Sequence, residues 1–299
     1  MKLSRGDAIF QFSNNIFMVI ILVIMAYPIY FTIIASFSEP MNVAMGEVTI
    51  LPKKVTLEAY QNVILERSIW TGYRNTIYYT VCGTLWNLFL TLPTAYVLSK
   101  KKLKGRLFFS WYFLFTMYFS GGLIPTYLLV RNVGLLNKPY TLIILGGISI
   151  YNMIVTRIYY QTSIPNELYE AAKVDGCSEF RQFFCIALPL SAPILAVMAL
   201  FYGVGRWNDF FTALIYISSS RFYPLQLVLR NILIQNQAVL QTISSSASNE
   251  EIIDLVRRAY MAEGMKYSLI FIASAPMLIA YPFVQKYFVK GVMIGSLKG

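Results

Sequence analysis

Six long apolar runs, separated by stretches that carry most of the charge, organise this 299-residue chain. They lie at about residues 13–37, 72–98, 108–130, 140–161, 190–217 and 267–288. A helix rises about 1.5 Å per residue, so some 20 apolar residues cross a hydrocarbon core of about 30 Å. The pattern predicts an all-α membrane protein with six transmembrane helices in a single domain, 1–299. The first run follows Lys2 and Arg5 and has no small-residue cleavage pattern, so it reads as a retained helix rather than a signal peptide. Gly121, Gly122 and Pro125 predict a kink in the third run.

Orientation follows from the basic residues of the short loops. Residues 99–107 hold Lys100, Lys101, Lys102, Lys104 and Arg106 and no acid, whereas 131–139 hold only Arg131 and Lys138. Placing 99–107 in the cytoplasm also puts both termini and the acid-rich loop 162–189 there. Segments 38–71 and 218–266 then face outward. The first should contain a short helix from Leu57, with Thr56 as N-cap and Glu58 in its first turn. The second, with Tyr223-Pro224-Leu225-Gln226-Leu227, should be partly helical and meet an external partner.

Composition narrows the chemistry. The chain is 57% hydrophobic and 13% charged, about half the charge of a soluble domain. It has no histidine, which removes Ser-His-Asp triads and histidine metal sites, and no G-x-x-x-x-G-K-[ST] loop for hydrolysing ATP. Cys82, Cys177 and Cys185 have no metal-ligand spacing and read as filler. The net charge of +11 sits at the ends of apolar runs, which fits a membrane surface and not nucleic acid.

Loop 162–189 reads as a helix-turn-helix knob. Ser163 is the N-cap candidate, Pro165 lies in the first turn and Glu167 faces the helix dipole. Glu170, Ala171 and Ala172 continue the helix, Asp175 follows, and Gly176 ends it in a left-handed conformation. Ser178-Glu179 begins a second short helix, with Ile186, Leu188 and Pro189 anchoring the knob to the membrane part. Inside the fifth run, Arg206 and Asp209 stand at i, i+3 around Trp207 and Asn208. Such charges either line a solute path or neutralise one another and lock helices together. Tyr151 and Asn152, with Asn75 and Asn87, are weaker candidates for the same path, and helix–helix hydrogen bonding explains each equally well.

Glu170-Ala171-Ala172, three residues, Gly176, nine residues, Ile186, one residue, Leu188-Pro189 resembles the EAA loop of ABC-importer permeases. The likeness extends through Ser120 to Tyr127, Gly205-Arg206-Trp207-Asn208-Asp209, Tyr223 to Leu227 and Gln285 to Gly291. Together these are similar to carbohydrate permeases of the MalG type, especially the LplC/YtcP-like branch. The resemblance implies a type I importer (MetI-like) fold in the bacterial cytoplasmic membrane. It also implies a second permease subunit, two ATPase subunits that use ATP and Mg, and an external solute-binding protein. This chain would bind no cofactor and catalyse nothing itself. Its EAA loop would dock in an ATPase cleft, and Gly291, Gly295 and Gly299 of the tail would reach between the ATPases. The cargo would be an oligosaccharide. The alternatives are a non-sugar cargo such as a peptide or polyamine, or a membrane scaffold that transports nothing.

Overall fold

A computed structural model describes residues 4–242, 260, 264–279 and 282. Among the described residues every regular element is helical. The expectations placed on Gly291, Gly295 and Gly299 lie outside the described residues. The chain forms two compact units, residues 1–69 with 229–275, and residues 70–228 with 276–299.

In the first unit, α1 (Arg5–Ser36) begins with a reciprocal cap: Ser4 Oγ accepts from Asp7 N–H, and the Asp7 carboxylate accepts from Ser4 N–H. At 32 residues it is about 48 Å long, and within Ile9–Ser36 its apolar window buries nothing against the rest of the chain. Contacts come from its C-terminal third: Ile34 and Ala35 meet Val43 and Val48 beside Phe31 and Tyr267, and the Tyr27 and Tyr30 hydroxyls donate to Thr49 O and Ile50 O. The connection carries α2 (Pro40–Ala44) and α3 (Glu58–Leu65). Leu57, not Thr56, occupies the N-cap position of α3, but Thr56 Oγ1 still accepts from Glu58 N–H at 3.2 Å. Tyr60 fixes α3 to the end of α1 by donating to Ser36 Oγ at 2.8 Å, with its ring against Phe37 and Phe271.

The second unit is built on α4 (Arg67–Ser99). After it come α5 (Arg106–Tyr118), α6 (Leu123–Asn132), α7 (Thr141–Ile144), α8 (Ile150–Thr162), α9 (Asn166–Val174), α10 (Glu179–Gln182) and α11 (Leu188–Leu190). The chain continues with α12 (Ala192–Asn208), α13 (Phe211–Tyr216), α14 (Leu225–Thr242) and α15 (Gly264–Ile279). The division between the units falls within α4, α14 and α15.

Three of the apolar runs are broken, the third where a kink was expected and the fourth and fifth where sequence periodicity suggested one helix. α5 and α6 meet at 110° across Phe119–Gly122, where Gly122 takes a φ of +86°. The fourth run is the single turn α7, an irregular stretch and α8. The fifth is α12 and α13, interrupted at Asp209 and Phe210, and α12 leaves the preceding helical segment at 81°. By length and composition α1 and α4 can each cross a bilayer alone, and each bent pair can form a further crossing.

The core of this unit brings together Leu88, Leu92, Ala95 and Tyr96 of α4, Met153 and Tyr160 of α8, and Ile194, Met198 and Tyr202 of α12. Phe183 and Ala187 reach it from the segment after α10. Lipid tails are as apolar as these side chains, so close packing and buried hydrogen bonds hold the helices rather than exclusion of water. A second cluster of Tyr79, Leu142, Ala213, Ile217 and Leu227 lies under residues 219–225. That segment is stitched down by α4: Asn75 Nδ2 donates to the carbonyls of Arg221 and Tyr223, Tyr79 OH donates to Phe222 O, and Thr76 Oγ1 accepts from Leu225 N–H. Asn75 is therefore committed to a structural clamp.

Candidate functional site: a protruding knob and a polar cleft

The knob starts two residues later than the sequence suggested. Ser163 closes α8 instead, its N–H bonded to Tyr159 O at 2.9 Å, and Pro165 occupies the N-cap position of α9. The fixed φ of proline suits that place, and the pre-proline residue Ile164 cannot continue α8. The end of α9 is a double-bonded stop: Gly176 N–H reaches Lys173 O at 3.1 Å, and Cys177 N–H reaches Ala172 O at 2.9 Å. That pair of bonds requires a left-handed residue, and Gly176 supplies it at φ +75°. Ser178 Oγ then caps α10 by accepting from Arg181 N–H, and Gln182, fully buried, donates to Cys177 O.

A five-residue π-turn, Phe183–Ala187, follows. Pro189 has no N–H for Cys185 O, and Leu188 N–H instead closes a wide turn onto Phe183 O. The turn changes which residues anchor the knob. Phe183 and Ala187 are buried in the core and half-buried Leu188 packs against it, whereas Ile186 is half-buried and Pro189 is exposed. On the opposite side Glu167, Glu170, Ala171, Lys173, Asp175 and Gly176 are exposed, with Ala172 half-buried. Two apolar side chains stand out among them, Val174 at 88% exposure and Phe180 at 75%.

The knob is tied to the end of α4 by a contact that periodicity and spacing did not reveal. Lys100 Nζ lies 3.3 Å from the ring centre of Tyr169, 4.4 Å from that of Tyr96 and 3.8 Å from the Glu179 carboxylate. Burial pulls the Lys100 ammonium below its ordinary pKa, and Glu179 opposes that pull. Burial pushes the Tyr169 phenol up to about 12. The sequence offered Lys100 only as one of five basic residues expected to mark a cytoplasmic loop; its aromatic partners are 4 and 69 residues away.

The second feature is an open cleft of about 470 Å³ lined by Asn87, Ser149, Asn152, Phe201, Arg206 and Asp209, among others. It gathers five of the candidates from sequence, since Asn87, Asn152 and Asn208 line it with Arg206 and Asp209. Tyr151 is exposed elsewhere, and Trp207 is buried with its ring edge-on to Tyr73. Tyr202 was not foreseen: its hydroxyl pairs with Thr91 Oγ1 at 2.7 Å and accepts from Ser149 N–H at 3.2 Å.

Arg206 and Asp209 do not neutralise one another in an ion pair, the second of the two readings open from the sequence. Arg206 Nε donates to Asn87 Oδ1 at 3.1 Å, Nη1 to Leu142 O at 2.6 Å, and Nη2 to Ile143 O and Leu145 O at 3.2 and 2.8 Å. The guanidinium thus caps the carbonyl end of α7, whose orphan acceptors carry partial negative charge. Gly83 permits this approach, since a Cβ there would sit 3.0 Å from Arg206 Nε. Asn87 completes the assembly by donating to Gly146 O and Gly147 O, so it too is structural. Asp209 lies beyond the last turn of α12 in extended backbone, and its Oδ1 accepts from Thr212 N–H at 3.0 Å to start α13. The i, i+3 spacing stops implying a shared face once the helix ends between the two residues.

A family model described as "Binding-protein-dependent transport system inner membrane component" matches residues 68–294. Protein LplC of Bacillus subtilis (strain 168) is 41% identical over 300 residues, covering 100% of this chain and 98% of that one. The polygalacturonan/rhamnogalacturonan transport system permease protein YtcP of the same organism is 35% identical over 95% of this chain and 96% of its own. A crystal structure of a bacterial ABC transporter involved in the import of the acidic polysaccharide alginate contains a chain with TM-score 0.84 and 32% identity, covering 96% of this chain and 99% of that one. With its exposed EAA knob and its polar cleft among apolar helices, the chain belongs to the family of inner-membrane permease components of binding-protein-dependent ABC transporters.

Proposed function

We propose that this chain is one permease half of an ATP-driven importer of oligosaccharides in a bacterial cytoplasmic membrane. It crosses the bilayer six times with both termini in the cytoplasm and pairs with a second permease. Two ATPase subunits dock beneath that pair, and an external solute-binding protein delivers cargo. The carrying observation is the knob: a rigid, capped protrusion with an exposed acidic and small-residue face around Glu167, Glu170, Ala171 and Gly176. Val174 and Phe180 at its tip add apolar area for a partner. The rear of the same knob is fixed to α4 by Lys100, Tyr96 and Tyr169, so a push on it moves the transmembrane helix. ATP and Mg belong to the ATPase partners, and the tail containing Gly291, Gly295 and Gly299 reaches toward them.

The cleft at Asn152, Asn208 and Asp209 is the part of this chain that faces the translocation path. Arg206 shapes it and leaves hydroxyl, amide and carboxylate groups toward the opening. The named cargoes of YtcP and of the alginate importer are polysaccharides, which supports a glycan substrate. The test is uptake by membrane vesicles of the assembled importer. Accumulation of labelled oligosaccharide that needs both ATP and the binding protein is expected. Preferential uptake of a peptide, or no uptake by an assembled complex, would overturn the assignment.

A further inference from the structure

We infer that Arg106 and Arg157 form a binding site for the phosphate headgroup of an anionic phospholipid in the cytoplasmic leaflet. Arg106 opens α5, and Arg157 lies in α8, five residues before its end. Five residues correspond to about 7.5 Å of helix, which sets Arg157 back from the knob, at the level of headgroups and not of a docked ATPase. This placement rests on the cytoplasmic position proposed above for residues 99–107.

The two arginines are half-buried and close enough to repel each other. Arg106 Nε donates to Leu98 O at 3.1 Å, and Arg157 Nη1 donates to Ser110 Oγ at 3.0 Å. Ser110 in turn donates to Arg106 O, so it can offer Arg157 only a neutral lone pair. Among the described residues neither arginine has a carboxylate within ion-pair distance. A charged side chain at membrane depth needs a counter-charge or water, and here two like charges have only neutral acceptors, Leu98 O for Arg106 and Ser110 Oγ for Arg157. The remaining guanidinium N–H groups form the planar donor set that suits a phosphate.

The surroundings favour a lipid as the source of that phosphate. From Arg106 onward α5 buries no side chain in this chain, and Leu107, Phe108 and Trp111 are exposed at 72%, 67% and 63%. Acyl chains would run along that face while the headgroup sits between the arginines. Lys101, Lys102 and Lys104 are exposed close by and add long-range attraction without fixing a position.

The test is native mass spectrometry of the assembled importer, exchanged into equal phosphatidylglycerol and phosphatidylcholine. The wild-type complex should retain phosphatidylglycerol. Arg106→Gln and Arg157→Gln should each weaken retention about fivefold, and together about twentyfold or more. Changing Lys101, Lys102 and Lys104 together to Gln should weaken it by less than either arginine change. If the double variant does not assemble, Arg157→Gln alone decides. Equal retention by wild type and arginine variants, or a larger loss in the lysine variant, would overturn the site. Displacement of the lipid by millimolar inorganic phosphate would show a soluble-anion site instead. Loss of the ATPase from arginine variants that still hold the lipid would show a protein contact. The readout is independent of transport, so a complex that takes up no glycan would leave this result standing.

Discussion

Replacing Arg206 separates the capping arrangement from an ion pair. Its guanidinium makes four hydrogen bonds, three of them to carbonyls at the end of α7 and one to Asn87. Arg206→Met leaves those acceptors without a donor. A buried acceptor left unpaired costs about 1–3 kcal/mol, but the site borders an open cleft and water will reach part of it. A net loss of about 3–5 kcal/mol is expected. Arg206→Lys keeps the charge, yet a compact ammonium cannot span four acceptors held by a planar fork. It should cost about 1–3 kcal/mol. Asp209→Ala removes one helix cap, worth about 1 kcal/mol. The assay is reversible unfolding of the purified permease in mixed micelles, arranged as a double-mutant cycle of Arg206→Met with Asp209→Ala. A coupling energy below about 1 kcal/mol is expected, near the average for polar contacts within membranes. Coupling above about 2 kcal/mol, or equal losses from the two single changes, would refute the reasoning and restore a mutual ion pair.

Three further outcomes follow from the knob and its supports. Gly176→Val forces a β-branched side chain into a left-handed turn, costing about 1–2 kcal/mol; uptake should fall at least tenfold with the complex still assembled, as read by co-purification and vesicle uptake. Lys100→Met should retain ATP hydrolysis but transport less per ATP, because the knob loses its cation–π seat on Tyr96 and Tyr169; the ratio of uptake to phosphate release measures this. Asn75→Ala frees the carbonyls of Arg221 and Tyr223, so protease cleavage in residues 219–224 should speed up several-fold relative to wild type.

What could be read from the sequence was whatever depends on neighbours along the chain. Glycine at 176 and serine at 178 announce a helix stop and a helix start, and both are found there. The break near Gly122 is likewise local, because a run of small residues before a proline disfavours continuous helix. The family itself was legible in the spacing of the EAA loop. Three things were not legible, two because they depend on distant partners and one because it changes the helix period by a single residue. Arg206 and Asp209 looked like partners at i, i+3, but α12 ends at Asn208, and the acceptors for Arg206 lie about sixty residues back. Asn87 and Asn75 carried no sign of which backbone segments they would clamp. Ile186 and Pro189 matched the signature that would anchor the knob, yet the π-turn turns Phe183 and Ala187 inward instead. A one-residue widening of a helix leaves no mark in hydrophobic periodicity beyond the proline that causes it.

The central claim is that the knob at residues 166–182 touches an ATPase. A photo-crosslinking amino acid at Val174, irradiated in membranes of cells expressing the whole importer, tests this directly, with Val133, in the segment proposed to face outward, as the control position. Covalent capture of the ATPase polypeptide from Val174, stronger when ATP is present and absent from Val133, is the expected result. Capture of only lipid or external protein from Val174, or an ATPase adduct from Val133, would contradict it.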